Sequence, residues 1–387
     1  MQKQLPLEPA GVVLHAVAEQ DTRCIERNLR EWMEGYGLDE RMVSIRHLSG
    51  GSGPCVALAL KAEQFHYWTP DFDTLNLGTV MPTANRCTAE KLEAEVLVAL
   101  LANRNALTYP SLAELQASVR IRTRIAMAAR ATHLAFDVHS AERPERYWEE
   151  CEENGFLLRP GASLINALRA ATQPTPEGGP YTFSCYRASE YVILLGLCEV
   201  LQELSPALLA RIEQCWRKRP FRSAAFHRVF MLEVGSRESP VPMRHYVPGD
   251  RVWFRNPDPV SSSVHGYEGS WVIYLGNGEF SDFWRANTNY TLESKCAEIF
   301  HWRHAVEVSE NGESCIDEDR VADLIAETAA NPTQLGRVLA VMERYREPAG
   351  QYTTAGGCID LTREYVDTVL GPDSAVARNI DREEANA

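Results

Sequence analysis

The chain has 387 residues, a formal net charge of -14 and 45% hydrophobic residues. This length allows two ordinary domains, or one large domain with an extension, and the composition is that of a globular protein with a proper core. The negative charge argues against a broad cationic surface for phosphate groups, so we expect no nucleic-acid partner. No uncharged apolar run reaches transmembrane length, so we expect no membrane partner.

The ten cysteines are scattered along the chain, without a Cys-x-x-Cys pair or a Cys/His cluster at zinc-ligand spacing. We therefore expect no metal site, and we assign no cofactor. The first thirty residues lack the basic and apolar regions of a signal peptide, which predicts a cytoplasmic location with free thiols. Delivery by a specialised secretion system stays open, as does the oligomeric state.

Residues 1–105 are the first predicted unit, an N-terminal α/β extension of unknown role. It contains an apolar helical stretch near 24–36 and a strand-like segment at 56–60. A helix that begins at Thr88 closes the unit. Polar and proline-containing residues over 103–110 then predict a domain boundary near 105.

The second predicted unit begins with a long helix over 112–134. Ser111 and Glu114 form a capping-box pattern at its start. Three interleaved arginines, Arg120, Arg122 and Arg124, predict a solvated helix face, with a binding patch as the alternative.

Cys185 follows a breaker-rich stretch at 174–180 and precedes an apolar block at 191–201 that predicts a buried helix. Cys185 is therefore expected at or close to a helix N-terminus. The unpaired N–H groups there favour thiolate over thiol and can serve an oxyanion. These features make Cys185 a candidate nucleophile, with a structural buried cysteine as the alternative.

Beyond residue 221 the pattern changes to short strands separated by the turn signals Pro248-Gly249-Asp250 and Asn277-Gly278. Helical spacing returns over 318–346, and residues 371–387 are expected to form a loose tail. The unit 106–370 is thus predicted to be α+β, with a helical half packed on an antiparallel sheet. The predicted strands are 229–234, 251–254, 271–275 and 279–284.

Two stretches of this unit resemble the small protein-glutamine gamma-glutamyltransferase of spore-forming bacilli. The first runs from Tyr109-Pro110-Ser111-Leu112 to Gly179-Pro180-Tyr181-Thr182-Phe183-Ser184-Cys185, and the second covers 248–257 and 269–276. The resemblance spans less than half of the chain. It implies a papain-like fold related to NlpC peptidases, and Cys185 as the nucleophile of a catalytic domain. The implied reaction passes through an acyl-enzyme: the thiolate attacks a glutamine carboxamide, ammonia leaves, and lysine, another amine or water takes the acyl group.

Two positions depart from the family's pattern. Ser270 stands where the family has its catalytic glutamate, and Phe283 stands where it has a histidine. Strand alternation places Glu268 on the same face as Ser270, so Glu268 is the predicted base or thiolate partner, with a surface glutamate as the alternative. Asp282 is the predicted orienting or alternative acid, provided that a one-residue bulge brings it to the site face.

Two histidines, His265 and His304, are further candidates for acid–base work, each with an ordinary surface role as the alternative. The leading functional prediction is a transglutaminase-like enzyme whose partner is a protein that presents glutamine and lysine or another amine. It either crosslinks or deamidates. The alternatives are a cysteine amidase or isopeptidase of NlpC type, and a catalytically degenerate binding module that has kept the fold.

Overall fold

A computed structural model describes residues 8–50, 53–81, 87–151, 155–175, 178–309, 312–347 and 356–385. Its helices are α1 Glu19–Gly35, α2 Ala62–Trp68, α3 Leu77–Val80, α4 Thr88–Leu101, α5 Leu112–Arg130, α6 Leu164–Thr172, α7 Cys185–Leu204, α8 Pro206–Trp216, α9 Ala224–Phe230, α10 Leu292–Trp302, α11 Glu318–Ala329, α12 Pro332–Met342 and α13 Ala375–Ala385. Its strands are β1 Val12–His15, β2 Val43–Gly50, β3 Gly53–Leu60, β4 Leu107–Tyr109, β5 Ala135–Phe136, β6 Trp148–Cys151, β7 Gly155–Leu158, β8 Thr182–Phe183, β9 Met231–Val234, β10 Arg251–Arg255, β11 Gly269–Gly276, β12 Glu279–Ser281, β13 Asn289–Tyr290, β14 Val306–Val308, β15 Ser314–Ile316 and β16 Arg363–Val366. The mixed α+β class agrees with the sequence prediction.

The N-terminal part forms a four-stranded sheet in the order β2-β3-β1-β4, in which only the β1–β4 pair is parallel among the described strands. The predicted helix starts at Thr88, as expected, and packs between this sheet and α5. Leu115 and Val119 of α5 belong to the same apolar core as this sheet. The first predicted unit therefore shares a core with the first helix of the second.

The larger sheet is antiparallel, with strand order β13-β12-β11-β10-β16-β9. Asn277 and Gly278 form the predicted hairpin turn, and both have positive φ angles, as a tight two-residue turn requires. The prediction of a strand over 229–234 was partly wrong, because 224–230 is helix α9 and only the last four residues pair with β16. Likewise, β12 ends at Ser281 rather than at residue 284.

Helix α7 crosses α5 at very short range, and both helices pack on β11. Gly196 makes this possible, because a Cβ at that position would lie 2.5 Å from the backbone nitrogen of Ile125. The predicted buried helix over 191–201 is the central part of α7. This packing places the N-terminus of α7 beside the first residues of β11.

The prediction of a solvated arginine face on α5 was wrong for Arg122. Its guanidinium is buried, donates to the carboxylate of Asp250 at 2.6 Å and stacks on the ring of Tyr365. Gly249 has a φ of +87°, and a Cβ there would lie 2.6 Å from the Arg122 backbone. The Pro-Gly-Asp turn is thus built for close contact with α5, which anchors the sheet to the helical half.

The prediction of a loose tail over 371–387 was also wrong for the described residues. Residues 375–385 form α13, whose apolar side chains, Val376 and Ile380 among them, are buried against α8 and α9. The spacing of four between these two residues, in an otherwise polar segment, produces one narrow apolar stripe. Residues 386 and 387 lie outside the described part of the chain.

Nowhere in the described ranges does a helix combine the length and the apolar character that crossing a membrane requires.

Candidate active site

Cys185 is the first residue of α7, as the sequence predicted. Ser184 caps the helix, and its hydroxyl accepts a hydrogen bond from the backbone N–H of Arg187 at 3.4 Å. The loop before it was predicted over 174–180, of which residues 176 and 177 lie outside the described residues. The thiol thus stands at the positive end of a 20-residue helix that is anchored in the core.

The backbone N–H groups of Trp271 and Tyr186 lie near the sulfur of Cys185 and act to lower its pKa. Strand β12 pairs with β11 only from Tyr274 onward. Trp271, which lies earlier in β11, is therefore not paired with β12, and its backbone can approach the thiol. Burial raises the pKa of Cys185, and these N–H groups together with the charges of Lys295 and Arg251 oppose that rise. The net direction is upward, so the helix N-terminus alone does not make this thiol acidic.

The thiol opens into a cavity of about 340 Å³. Five of the lining residues are aromatic and give the cavity apolar walls: Phe136, Tyr267, Trp284, Tyr290 and Trp302. A second group is charged: Arg285, Lys295, Glu298, Glu318 and Asp319. A cavity of this kind, with apolar walls and a few convergent polar groups around a nucleophile, is typical of an enzyme site.

Lys295 and Glu298 form a buried ion pair on the cavity side of α10, with 2% and 5% of their surfaces exposed. Glu298 also accepts a hydrogen bond from the hydroxyl of Tyr290 at 2.8 Å. The ammonium of Lys295 lies 3.6 Å from the centre of the Tyr290 ring, a cation–π contact. Three side chains on two neighbouring elements therefore hold each other in place beside the thiol.

Glu318, at the start of α11, is the next carboxylate of the cavity. It accepts a hydrogen bond from the Tyr267 hydroxyl at 2.7 Å. Burial raises the pKa of Glu318, and this hydrogen bond partly offsets the rise.

Ser270 lines the cavity with Cys185, so the residue at the family's glutamate position shares this cavity with the candidate nucleophile. Glu268, the predicted base, precedes β11 and is not among the cavity's lining residues. Its carboxylate is 42% exposed and lies 3.8 Å from Nδ1 of His265, which is itself largely exposed. The structure brings Glu268 together with His265, but not with the lining of the thiol cavity.

Asp282 is buried at the end of β12 and organises the turn that follows it. Its carboxylate accepts hydrogen bonds from the backbone N–H groups of Trp284 and Arg285, at 3.0 and 3.2 Å, and from the Thr288 hydroxyl at 3.3 Å. Trp284 and Arg285 line the thiol cavity, whereas Asp282 is not one of its lining residues. The register shift between β11 and β12 lies at Tyr274 to Gly276, some distance before Asp282 along the chain.

The two other candidates, His265 and His304, are not part of the cavity lining. The ring of His265 contacts that of His139, and His304 packs against Phe300 and His301. Burial and the neighbouring Arg303 lower the pKa of His304. Phe283, at the family's histidine position, is buried in the core.

Sequence reasoning missed Lys295 and Glu298. The sequence does contain a helix signal there, because Leu292, Cys296 and Ile299 recur at spacings of four and three after the capping residue Thr291. The charged pair at positions i and i+3 of this helix carried no signal of its own, because such pairs are usually exposed. Burial by β13 and α11 was needed to reveal it.

In the ranges that the structure describes, no group of three or more His, Cys, Asp and Glu side chains is placed to hold a metal ion.

A sequence model of the family described as protein-glutamine gamma-glutamyltransferase matches residues 76–355. The match begins inside the unit predicted over 1–105. A transglutaminase from Geobacillus stearothermophilus, solved without its C-terminal extension, is similar in structure with a TM-score of 0.39 and 18% identity, over 56% of this chain and 98% of that one. No curated protein matches the chain.

Proposed function

The chain belongs to the protein-glutamine gamma-glutamyltransferase family, an acyltransferase family, and we propose that it performs this reaction through an acyl-enzyme on Cys185. The observation that supports this assignment is the position of the thiol. Cys185 begins α7, lies near the backbone N–H groups of Trp271 and Tyr186, and opens into a cavity with aromatic walls. The other cysteine of this helix, Cys198, is fully buried in the core and does not reach the cavity.

In the proposed reaction, the sulfur of Cys185 bonds to the carboxamide carbon of a glutamine side chain. The carbon–nitrogen bond breaks, and the thiol proton leaves with the nitrogen as ammonia. In the second half, a primary amine attacks the thioester, an amide bond forms, and the proton lost by the amine returns to the sulfur. Water in place of the amine completes a deamidation instead.

The backbone N–H groups of Trp271 and Tyr186 are candidate donors to the carboxamide oxygen as it develops charge. The aromatic residues that line the cavity would limit the access of water to the thioester, which would favour an amine as acceptor. The substrates of the proposed reaction are a protein glutamine and an amine.

The helical half with α7 at its centre, packed on the antiparallel sheet of β10 to β12, supports a papain-like arrangement related to NlpC peptidases. We keep 106–370 as the proposed catalytic domain and 1–105 as an extension of unknown role. The core that this extension shares with α5 favours a fixed attachment over a mobile one.

The roles of Glu268 and Asp282 stay predictions. The hydrogen bonds of Asp282 favour a positioning role, since they order the turn that carries Trp284 and Arg285 into the cavity lining. For Glu268 the contact with His265 supports a surface role as well as it supports a catalytic one.

The test compares wild-type protein with Cys185→Ser and Cys198→Ser in an amine-incorporation assay on a glutamine-containing protein. We expect the first variant to lose incorporation and the second to keep it, provided that circular dichroism shows both to be folded. Incorporation that survives in Cys185→Ser would overturn the assignment. Hydrolysis of the carboxamide without incorporation would support the deamidase form, and an inert wild-type protein would favour the binding module.

A further inference from the structure

Two sheet positions at which the family carries its catalytic partners are changed in this chain. The family's glutamate and histidine positions hold Ser270 and Phe283, and neither side chain carries a charge at neutral pH. Burial also raises the pKa of Cys185. A thiolate in this site therefore needs a cation from another element.

The charged groups around the thiol come from several elements. β10 contributes Arg251, which is bound to Glu364 at 3.2 Å and enclosed between the rings of Tyr186 and Trp271. This guanidinium is not part of the lining of the thiol cavity.

The remaining charged groups line the cavity itself. Arg285 follows β12 and is half exposed, and Glu318 and Asp319 begin α11. Lys295 and Glu298 lie on α10. Among these lining residues Lys295 is the buried cation.

We propose that the Lys295–Glu298 ion pair is the charge partner of Cys185, with Lys295 stabilising the thiolate and Glu298 and Tyr290 positioning Lys295. The proposal rests on the assignment of Cys185 as the nucleophile. Lys295 shares the cavity with the sulfur, is almost fully buried, and is held by Glu298 on one side and by the Tyr290 ring on the other. A buried ammonium acts on a nearby anion far more strongly than an exposed one does.

The pairing with Glu298 gives the buried ammonium a counter-charge and a hydrogen-bond acceptor, which a buried charge needs. The ammonium then offsets the negative charge that forms on sulfur, while the thiol proton leaves with ammonia as described above. No additional reactant is needed. The same ammonium stabilises the thiolate when the thioester is broken by the acceptor amine.

The experiment measures the pH dependence of Cys185 alkylation by iodoacetamide in wild-type protein, Lys295→Met and Lys295→Arg. Peptide mapping by mass spectrometry separates Cys185 from the other cysteines. We expect Lys295→Met to raise the apparent pKa of the thiol by about one unit, and so to slow labelling at neutral pH about tenfold. Lys295→Arg keeps the charge and is expected to restore most of the labelling rate.

Arg228→Gln is the control, because it removes an exposed cation, paired with Glu383, that lies outside the cavity lining. We expect little change there, since solvent screens an exposed charge. A thermal melt of each variant confirms the fold, and Lys295→Gln, which also removes the charge, provides the test if Lys295→Met fails to fold.

An unchanged pH profile in folded Lys295→Met, or equal slowing in Arg228→Gln, would overturn the proposal. Either result would leave the Cys185 assignment intact, since that assignment is tested by Cys185→Ser. If amine incorporation survives in Cys185→Ser, the proposed function fails first and this inference fails with it.

Discussion

Two buried ion pairs of this protein differ in what they connect. Arg122 of α5 and Asp250 of the turn before β10 are 128 residues apart and join the helical half to the sheet. Lys295 and Glu298 are three residues apart on one helix and face the thiol cavity. The first pair stabilises the packing of two elements, whereas the second adds no new connection between distant parts of the chain.

This difference separates a buried charge that stabilises the fold from a buried charge that serves the proposed reaction. Asp250 also accepts the backbone N–H of Val247 at 2.8 Å, so its oxygens are used within the turn. A pair inside one helix needs no burial to form, and its burial beside a nucleophile needs another reason. The activation of Cys185 is that reason in our proposal.

The largest expected effect is on stability, at the pair that joins the two halves. Asp250→Asn leaves the Arg122 guanidinium buried without a carboxylate, so we expect the free energy of unfolding to fall by about 3–5 kcal/mol. Urea denaturation followed by circular dichroism measures it. Glu279→Gln, which removes a more exposed ion pair with Arg130, is the control and should cost about 0–1 kcal/mol. Equal losses in the two variants would contradict the structural role of Arg122–Asp250.

The next effect is on catalysis, at the pair in the cavity. Glu298→Gln weakens the hold on Lys295, so we expect kcat/KM for amine incorporation to fall about tenfold, equivalent to one pKa unit at the thiol. Its loss of unfolding free energy should be smaller than that of Asp250→Asn. A variant with normal kcat/KM would remove Glu298 from the positioning role.

The pH dependence of the free thiol sharpens the contrast between Cys185 and an ordinary cysteine. Because burial outweighs the opposing N–H groups and charges, the pKa of Cys185 lies above the usual thiol value. Its thiolate fraction is therefore low at neutral pH, and the alkylation rate should still be climbing at the pH where a free thiol such as glutathione, measured alongside, has levelled off. A plateau for Cys185 at lower pH than for glutathione would show that the thiol is acidic in the folded protein.

The smallest expected effect is at Glu268. Its carboxylate is nearly half exposed, and its ion-pair partner in the described part of the chain is the exposed His265. We expect Glu268→Gln to lower kcat/KM by less than about fivefold. A factor of about five corresponds to ~1 kcal/mol, which is the upper end of the range for an exposed ion pair. A loss as large as that of Cys185→Ser, with the fold retained, would restore Glu268 as the base and weaken the case for Lys295.

Much of the secondary structure was predictable because local signals were strong. The cap at Ser111, the helix start at Cys185, the hairpin at Asn277-Gly278 and the apolar run of α7 all agree with the structure. The start of the strand predicted over 229–234 and the end of the strand predicted over 279–284 were misjudged, because apolar residues extend beyond the paired residues there. Apolar pattern alone does not show where backbone pairing stops.

The sequence by itself determined the elements around the nucleophile. The breaker-rich approach and the buried helix placed Cys185 at a helix start, and the flanking motifs indicated the family. Only the tertiary structure decided which charges share the cavity with the thiol, and it selected Lys295 and Glu298 where the sequence had suggested Glu268 and Asp282. The reason is physical: a helix start is set by contacts within a few residues, whereas burial of a charge depends on segments farther along the chain, here α11, that cover it.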